Sequence, residues 1–148
     1  QIFEATKEIE VEDGLAIKNS EVRQKMADWY VQSRGLQYTK FRSITALSKG
    51  RTPGPELSIS KLVTASKMQD VSAYALDLMD MSGAIHNDKN PVLKNLFQNG
   101  YFFSAAMRIA GGTDEVLRNI IAERVLGLPQ DERADKKVPF NELPSGKN

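Results

Sequence analysis

Four segments of this chain carry apolar residues three and four positions apart, and glycine or proline separates the segments. That spacing places the apolar side chains on one face of an α-helix. The segments run over 20–49, from Pro55 toward Asp80, from Asn90 onward, and from Thr113 to Gly127. Short connections between such helices favour antiparallel neighbours. The predicted fold is therefore all-α, an up-down four-helix bundle.

The two ends of the chain are predicted to lie outside this bundle. Residues 1–19 are acidic and weakly patterned, which indicates a frayed helix end followed by a linker. The helical domain is expected over 20–129, and the charged, turn-rich stretch 130–148 is expected to be a mobile tail. No alternation of apolar and polar residues predicts a strand. A length of 148 residues suits one domain with its own core.

Composition excludes several classes of function. A net charge of +1 offers no basic footprint for nucleic acid. The absence of cysteine excludes disulfides and thiolate chemistry and fits a reducing compartment, so we expect a cytoplasmic location. His86 is the only histidine, which excludes a metal site built from several histidines. Any Ser-His-Asp triad would have to use His86, which we expect in a surface loop. No run of apolar residues is long enough to predict a membrane span, and no signal peptide opens the chain. Because the first residue is Gln1 and not Met, we expect the chain to be a piece of a longer protein.

The turn before the fourth helix is the strongest candidate for a site. Gly111 and Gly112 free the backbone, and Thr113-Asp114-Glu115 then begins the helix. A helix N-terminus presents backbone N–H groups without intrahelical partners and carries partial positive charge. The turn can therefore seat a phosphate or another anion. The same residues also suit an ordinary helix cap, and the local pattern leaves both readings open.

Several motifs together carry a family resemblance. They are Gly111 to Val116, Arg118-Asn119-Ile120-Ile121-Ala122-Glu123-Arg124 with Val125 to Pro129, Gly50 to Glu56 with Ser58, Lys61 and Leu62, Val22-Arg23-Gln24, and Ala75-Leu76-Asp77-Leu78. In this order and spacing they resemble the C-terminal domain of the acyl-CoA dehydrogenases, bacterial type, over roughly 20–129. Several motifs over a long stretch are more specific than one glycine motif.

The resemblance implies a flavin enzyme in three parts, of which this chain is similar to the third. FAD would lie between the middle β-domain and this helical domain, partly held by a neighbouring subunit. In the family a carboxylate takes the α-proton of an acyl-CoA thioester, and the flavin N5 takes the β-hydride. Electrons then pass to an electron-transfer flavoprotein or a similar acceptor. The resemblance also implies a homo-oligomer, a dimer or a tetramer, without nucleic-acid or membrane partners.

The implied cofactor contacts transfer residue by residue. Thr113 matches the family's threonine at the flavin, and Asp114 and Glu115 follow at positions that often add contacts. Asp77 stands where many members have a flavin-contacting glutamine, and Gly83 matches the last glycine of the next segment. Asp77 also suits a solvated helix face, and Glu115 also suits a favourable first-turn charge.

Two departures from the family pattern bear on catalysis. Many members carry the catalytic glutamate where this chain has Gly111, which cannot take a proton. The glycine-rich segment is also eroded and reads Asp80-Met81-Ser82-Gly83. One hypothesis is therefore the helical domain of an acyl-CoA dehydrogenase, inactive by itself. The alternative is a non-catalytic assembly module, or a partner subunit of a heteromeric dehydrogenase.

Other conspicuous residues have structural interpretations. Trp29 is expected in the core or in an interface, because aromatic side chains dominate burial. The same holds for the aromatic group Phe97, Tyr101, Phe102 and Phe103. Arg118 and Arg124 are expected to pair with acidic neighbours on the helix surface, where such pairs add little stability.

Overall fold

The computed structural model describes residues 1–52, 54–85, 92–130 and 138–143, and within the third range side chains are described from Asn95. Six α-helices dominate these described ranges, namely α1 (Ile2–Ala5), α2 (Ser20–Ser48), α3 (Glu56–Leu78), α4 (Met81–Ala84), α5 (Val92–Ile109) and α6 (Asp114–Arg124). The all-α prediction is confirmed, with α2, α3, α5 and α6 as the four long helices. None of the described helices is long and apolar enough to cross a bilayer.

The helix ends follow local chemistry, with small shifts from the sequence prediction. Asn19 rather than Ser20 caps α2, because its side-chain oxygen accepts from the backbone N–H of Glu21 at 2.9 Å and of Val22 at 3.2 Å. Pro55 is the N-cap of α3 rather than its first helical residue. The expected start of the third helix at Asn90-Pro91 and the expected loop with His86 lie outside the described residues.

The N-terminal segment is folded, and the expectation of a frayed end and linker is wrong. After α1, strands β1 (Glu10–Val11) and β2 (Gly14–Leu15) form an antiparallel hairpin. Gly14 adopts φ 107, which lets the chain reverse within two residues. A 3-10 turn, Ala16–Lys18, leads into α2. The strands are too short for an alternating pattern to reveal them.

Helix α3 is the centre of the domain, because α2, α5 and α6 all pack against it. Trp29 of α2 is buried and donates its indole N–H to Asp70 of α3 at 2.8 Å. Gly100 lets α5 approach α3, since a Cβ there would lie 2.5 Å from the Ser72 hydroxyl oxygen. Ala5 of α1 packs with Ala75 and Phe97 in the main apolar cluster, so the N-terminal segment is part of the core.

Candidate functional site

The glycine turn and the cap of α6 form as the sequence predicts. Gly111 and Gly112 adopt φ 70 and 105, in the left-handed region that favours glycine. Thr113 is the N-cap, and its hydroxyl accepts from the backbone N–H of Val116 at 3.3 Å. Lys61 of α3 donates from Nζ to the carbonyl oxygen of Gly112 at 2.5 Å. The turn is thereby tied to the central helix.

Asp114 points into the domain. Its side chain is buried, and Oδ2 accepts from Arg108 Nε and lies 2.6 Å from Arg108 Nη2. Arg108 also donates from Nη1 to Gln69 Oε1 at 2.6 Å, so one guanidinium joins α3, α5 and α6. Asp114 Oδ1 is buried without a hydrogen-bond partner in the described chain. A buried acceptor of this kind is costly unless a donor reaches it.

Glu115 is exposed in the first turn of α6. Its own backbone N–H and the Thr113 side chain hold the pKa of the Glu115 carboxyl below its usual range. Arg118 acts in the same direction from 3.9 Å, whereas Asp114 opposes it. The helix N-terminus therefore already holds a carboxylate. The anion seat and the ordinary helix cap therefore both stay predictions for the role of this turn.

These residues border a cleft of about 290 Å³. Its lining consists of Gln69, Ala105, Arg108, Ile109, Thr113, Asp114 and Glu115. The guanidinium is neutralised by Asp114, and Glu115 and Thr113 offer acceptor oxygens. The cleft is therefore suited to a group that donates hydrogen bonds, such as a hydroxyl or an N–H.

Two of the implied cofactor residues lie elsewhere. Asp77 is exposed near the end of α3, about 24 Å along the helix axis from Lys61. Gly83 is buried, and a Cβ there would overlap the carbonyl oxygen of Leu76. Its own carbonyl oxygen accepts from Gln98 Nε2 at 2.8 Å. The structure thus brings Thr113, Asp114 and Glu115 together and separates them from Asp77 and Gly83.

The eroded glycine segment carries backbone strain. Asp80 adopts φ 48 and ψ −139, a conformation that suits glycine and costs other residues about 1–2 kcal/mol. The short α4 follows it, with Gly83 packed on α3. Aspartate therefore occupies a turn whose backbone conformation suits glycine.

Three residues of the site, Lys61, Gln69 and Arg108, were given no role from sequence. The signal for Arg108 was a cation in the last turn of one helix and an acid at the start of the next, across a glycine turn. Lys61 and Gln69 gave no such local signal, because their partners lie 51 and 39 residues away in the chain.

A larger groove of about 610 Å³ lies between α2, α3 and α5, and α1 also borders it. Its walls are mainly apolar, with Met26, Trp29, Met68, Leu96 and Phe97 among them. Lys67 crosses it and donates to the Trp29 carbonyl and the Ser33 hydroxyl oxygens. Burial lowers the pKa of Lys67.

The expected aromatic group divides between core and surface. Trp29 and Phe97 are buried, whereas Tyr101, Phe102 and Phe103 are exposed. Arg118 lies near Glu115 on the α6 surface, in the kind of pairing that the sequence predicts.

Comparison with known proteins gives one family. The family described as "Acyl-CoA dehydrogenase, C-terminal domain" matches residues 1–126. "Acyl-CoA dehydrogenase IpdE1" of Mycolicibacterium smegmatis is 40% identical over 98 residues, which cover 66% of this chain and 24% of that protein. "Acyl-CoA dehydrogenase FadE34" of Mycobacterium tuberculosis is 30% identical over 81 residues, covering 55% of this chain and 10% of that one. The chain therefore spans a quarter or less of these relatives.

A solved structure shares the fold. A chain in the crystal structure of the ChsE4-ChsE5 complex from Mycobacterium tuberculosis superposes with a TM-score of 0.70 at 20% identity. The likeness covers 88% of this chain and 34% of that one. The match to the family over most of the chain agrees with the motifs and with the helical fold, and this protein belongs to the acyl-CoA dehydrogenase family through its C-terminal domain.

Proposed function

We propose that this chain is the helical part of a flavin-dependent acyl-CoA dehydrogenase, in which it forms one side of the FAD and acyl pocket. The family match over residues 1–126 is the observation that carries this proposal. When bound, FAD would supply a hydride acceptor for α,β-dehydrogenation of an acyl-CoA thioester. The chain's own contribution is to bind and orient, because Gly111 has no group that could move a proton.

The acceptor-rich cleft fits part of a flavin dinucleotide. Thr113 and Glu115 border it with oxygen atoms, and Asp114 fixes the turn through Arg108. These groups suit the hydroxyl-bearing chain of the cofactor better than its diphosphate, because two carboxylates already stand at the helix N-terminus. Asp114 is thus proposed to support the cofactor site through Arg108, whereas Thr113 and Glu115 would contact the cofactor.

Asp77 is proposed to serve a second cofactor region, and Gly83, which is buried against Leu76, to shape the turn beside it. The distance of Asp77 from Thr113 along α3 suits contact with a distant part of the cofactor or with the cofactor of a neighbouring subunit. A homo-oligomer, an acyl-CoA substrate and an electron-transfer flavoprotein or similar acceptor belong to the same proposal. A cytoplasmic location, proposed from the absence of cysteine, completes it.

A second candidate function follows from Gly111. With no side chain at the position where many members carry the base, the chain suits a non-catalytic assembly module or a partner subunit of a heteromeric dehydrogenase. The structural neighbour was itself solved as a ChsE4-ChsE5 complex.

Flavin titration and acyl-CoA oxidation assays test both functions. The 148-residue chain alone is expected to show neither tight FAD binding nor reduction of an artificial electron acceptor, and robust turnover would contradict the proposal. The full-length protein is expected to bind FAD, with Thr113→Ala weakening retention of the flavin. Arg124→Ala, an exposed change in the last turn of the same helix, serves as the control.

The same assays separate the two candidates. A full-length protein that oxidises acyl-CoA by itself supports the dehydrogenase. Activity that appears only after a second subunit is added supports the partner-subunit function. A full-length protein that never retains FAD would exclude the flavoenzyme.

A further inference from the structure

The apolar groove between α2, α3 and α5 is separate from the cleft proposed for the flavin. The two cavities have no described lining residue in common. The groove has a volume of about 610 Å³. Small-molecule sites usually measure roughly 300–1,000 Å³ and have mainly apolar walls with a few polar groups. The groove therefore has the size and the character of a second ligand site.

Lys67 carries the only charged side chain among the described residues that line the groove. Apolar side chains make up most of the wall, and they include Met26, Trp29, Met68 and Phe97. The other polar side chains of the lining are neutral. One positive charge therefore borders a mainly apolar space.

The ammonium group of Lys67 has hydrogen-bonding capacity to spare. A lysine ammonium presents three N–H donors and no acceptor. Two of the donors reach the Trp29 carbonyl oxygen and the Ser33 hydroxyl oxygen, which are both neutral. Within the described chain the third donor has no acceptor. A ligand in the groove can therefore accept a hydrogen bond from Lys67 without breaking an existing one.

In the described chain no carboxylate compensates the charge of Lys67, and none of the four salt bridges there includes it. Asp70, three residues further along α3, instead accepts from the Trp29 indole at 2.8 Å and lies 3.8 Å from Lys25 Nζ. Burial lowers the pKa of the Lys67 ammonium, and no neighbouring charge raises it. A cation drawn partly out of water without an opposite charge is unfavourable, and an anion in the groove would relieve that cost.

We propose that this groove binds a small monocarboxylate with an apolar body. The carboxylate accepts a charge-assisted hydrogen bond from Lys67, and the apolar body packs along Trp29, Met68 and Phe97. A dianion such as a phosphate monoester suits the groove less well, because one cation leaves its second charge among apolar side chains. A neutral or cationic molecule leaves the ammonium uncompensated. The site goes beyond the proposed function and does not depend on it.

Trp29 makes binding measurable, because it is the only tryptophan of the chain and lies in the wall of the groove. Decanoate and adamantanecarboxylate are the probes, with an extended and a compact apolar body. Titration of the 148-residue chain with at least one of these acids is expected to change the Trp29 fluorescence until it saturates. The neutral counterparts, decanol and adamantanol, should bind about tenfold or more weakly, because they cannot compensate the charge of Lys67.

Methionine methyl NMR locates the ligand in the same protein. Met26 and Met68 line the groove, whereas Met79, Met81 and Met107 do not. The bound acid is expected to shift the first two methyl signals and to leave the other three unchanged.

Substitution of Lys67 separates the effect of its charge from that of the apolar wall. Lys67→Met is expected to weaken binding of the acid by about tenfold or more, because the charge-assisted hydrogen bond is lost. Binding of the alcohol should stay nearly unchanged, and Lys67→Arg, which keeps a cation, should retain most of the affinity for the acid. Lys40→Met removes an exposed lysine of α2 outside the groove and should have no effect. Circular dichroism verifies that each variant remains helical.

The full-length protein gives the decisive result. Equilibrium dialysis with the labelled acid is expected to find a binding site there that Lys67→Met removes and Lys40→Met leaves intact. Failure of both acids to saturate, equal affinity for acid and alcohol, or an unchanged affinity in Lys67→Met overturns the proposal. So does binding confined to the 148-residue chain, because another part of the full-length protein then covers the groove. None of these results bears on the dehydrogenase function, which depends on the flavin and acyl-CoA measurements.

Discussion

Asp80 is the one non-glycine residue in the described chain with a positive φ. Its φ of 48 and ψ of −139 suit glycine, and its side chain makes no cap hydrogen bond there. Asp80→Gly is expected to raise the free energy of unfolding by about 1 kcal/mol, because it removes the strain of the left-handed backbone. Asp80→Ala should not raise the free energy of unfolding, because alanine keeps the strain. Urea denaturation measures both.

The control for this change is Asp77→Gly, three residues earlier in α3. Here glycine should lower stability by a few tenths of a kcal/mol, since the backbone is helical. If both glycine variants changed stability in the same direction, strain at Asp80 would not be the cause.

Substituting Arg108 and substituting Asp114 are expected to lower the free energy of unfolding by different amounts. Asp114 is 4% exposed and Arg108 is 40% exposed. Arg108→Gln leaves a buried carboxylate without its charge partner, and we expect the free energy of unfolding to fall by roughly 2 kcal/mol. The loss is smaller than for a fully buried pair because Arg108 is partly exposed. Asp114→Asn leaves a guanidinium that water can reach, so its loss should be smaller, about 1 kcal/mol.

The double variant Arg108→Gln/Asp114→Asn completes the cycle. It should lose less than the sum of the two single changes, because no unpaired buried charge remains. Denaturant melts of all four proteins measure the coupling. Additive losses would show that the pair contributes nothing as a pair.

At the scale of elements, the α3–α5 contact depends on Gly100. A Cβ at this position would lie 2.5 Å from Ser72 Oγ and 3.6 Å from Ser72 Cβ. Gly100→Ala should therefore destabilise the wild type by about 1 kcal/mol, since overpacking costs more than the helix propensity gains. In a Ser72→Ala background the same change should be neutral or stabilising.

Thermal melts of the four proteins in this set measure the effect. Ser72→Ala alone is the reference for the second background. If Gly100→Ala had the same effect in both backgrounds, the close approach of α5 to Ser72 would not be what limits this position.

At the scale of the whole molecule, the N-terminal segment is part of the domain. Ala5 is fully buried against Ala75 and Phe97. Ala5→Leu is expected to cost about 1–3 kcal/mol, because a filled core resists added volume. Glu8→Leu, an exposed position in the same segment, should change stability by less than about 0.5 kcal/mol. If both variants had equal and negligible effects in denaturant melts, residues 1–19 would again be interpreted as a linker.

The candidate site was only partly predictable. The glycine pair and the threonine cap at Thr113 depend on neighbouring residues, so the pattern indicated both. The inward turn of Asp114 depends on Arg108 and Gln69, and Gln69 comes from a distant part of the chain. The predicted cofactor roles of Thr113, Asp114, Glu115, Asp77 and Gly83 remain predictions. The distance between Asp77 and Thr113 follows from the tertiary structure, because Asp77 lies at one end of α3 and the turn before Thr113 contacts Lys61 near the other end.

The amino-acid sequence alone determined the four long helices, their order and the cap of α6, because helical periodicity and capping act over a few residues. It also carried the family motifs. Tertiary structure decided that α3 is the central helix, that α1 packs on it, and that Arg108 joins Asp114 to Gln69. Those outcomes depend on contacts between residues far apart in the chain, which no local pattern encodes.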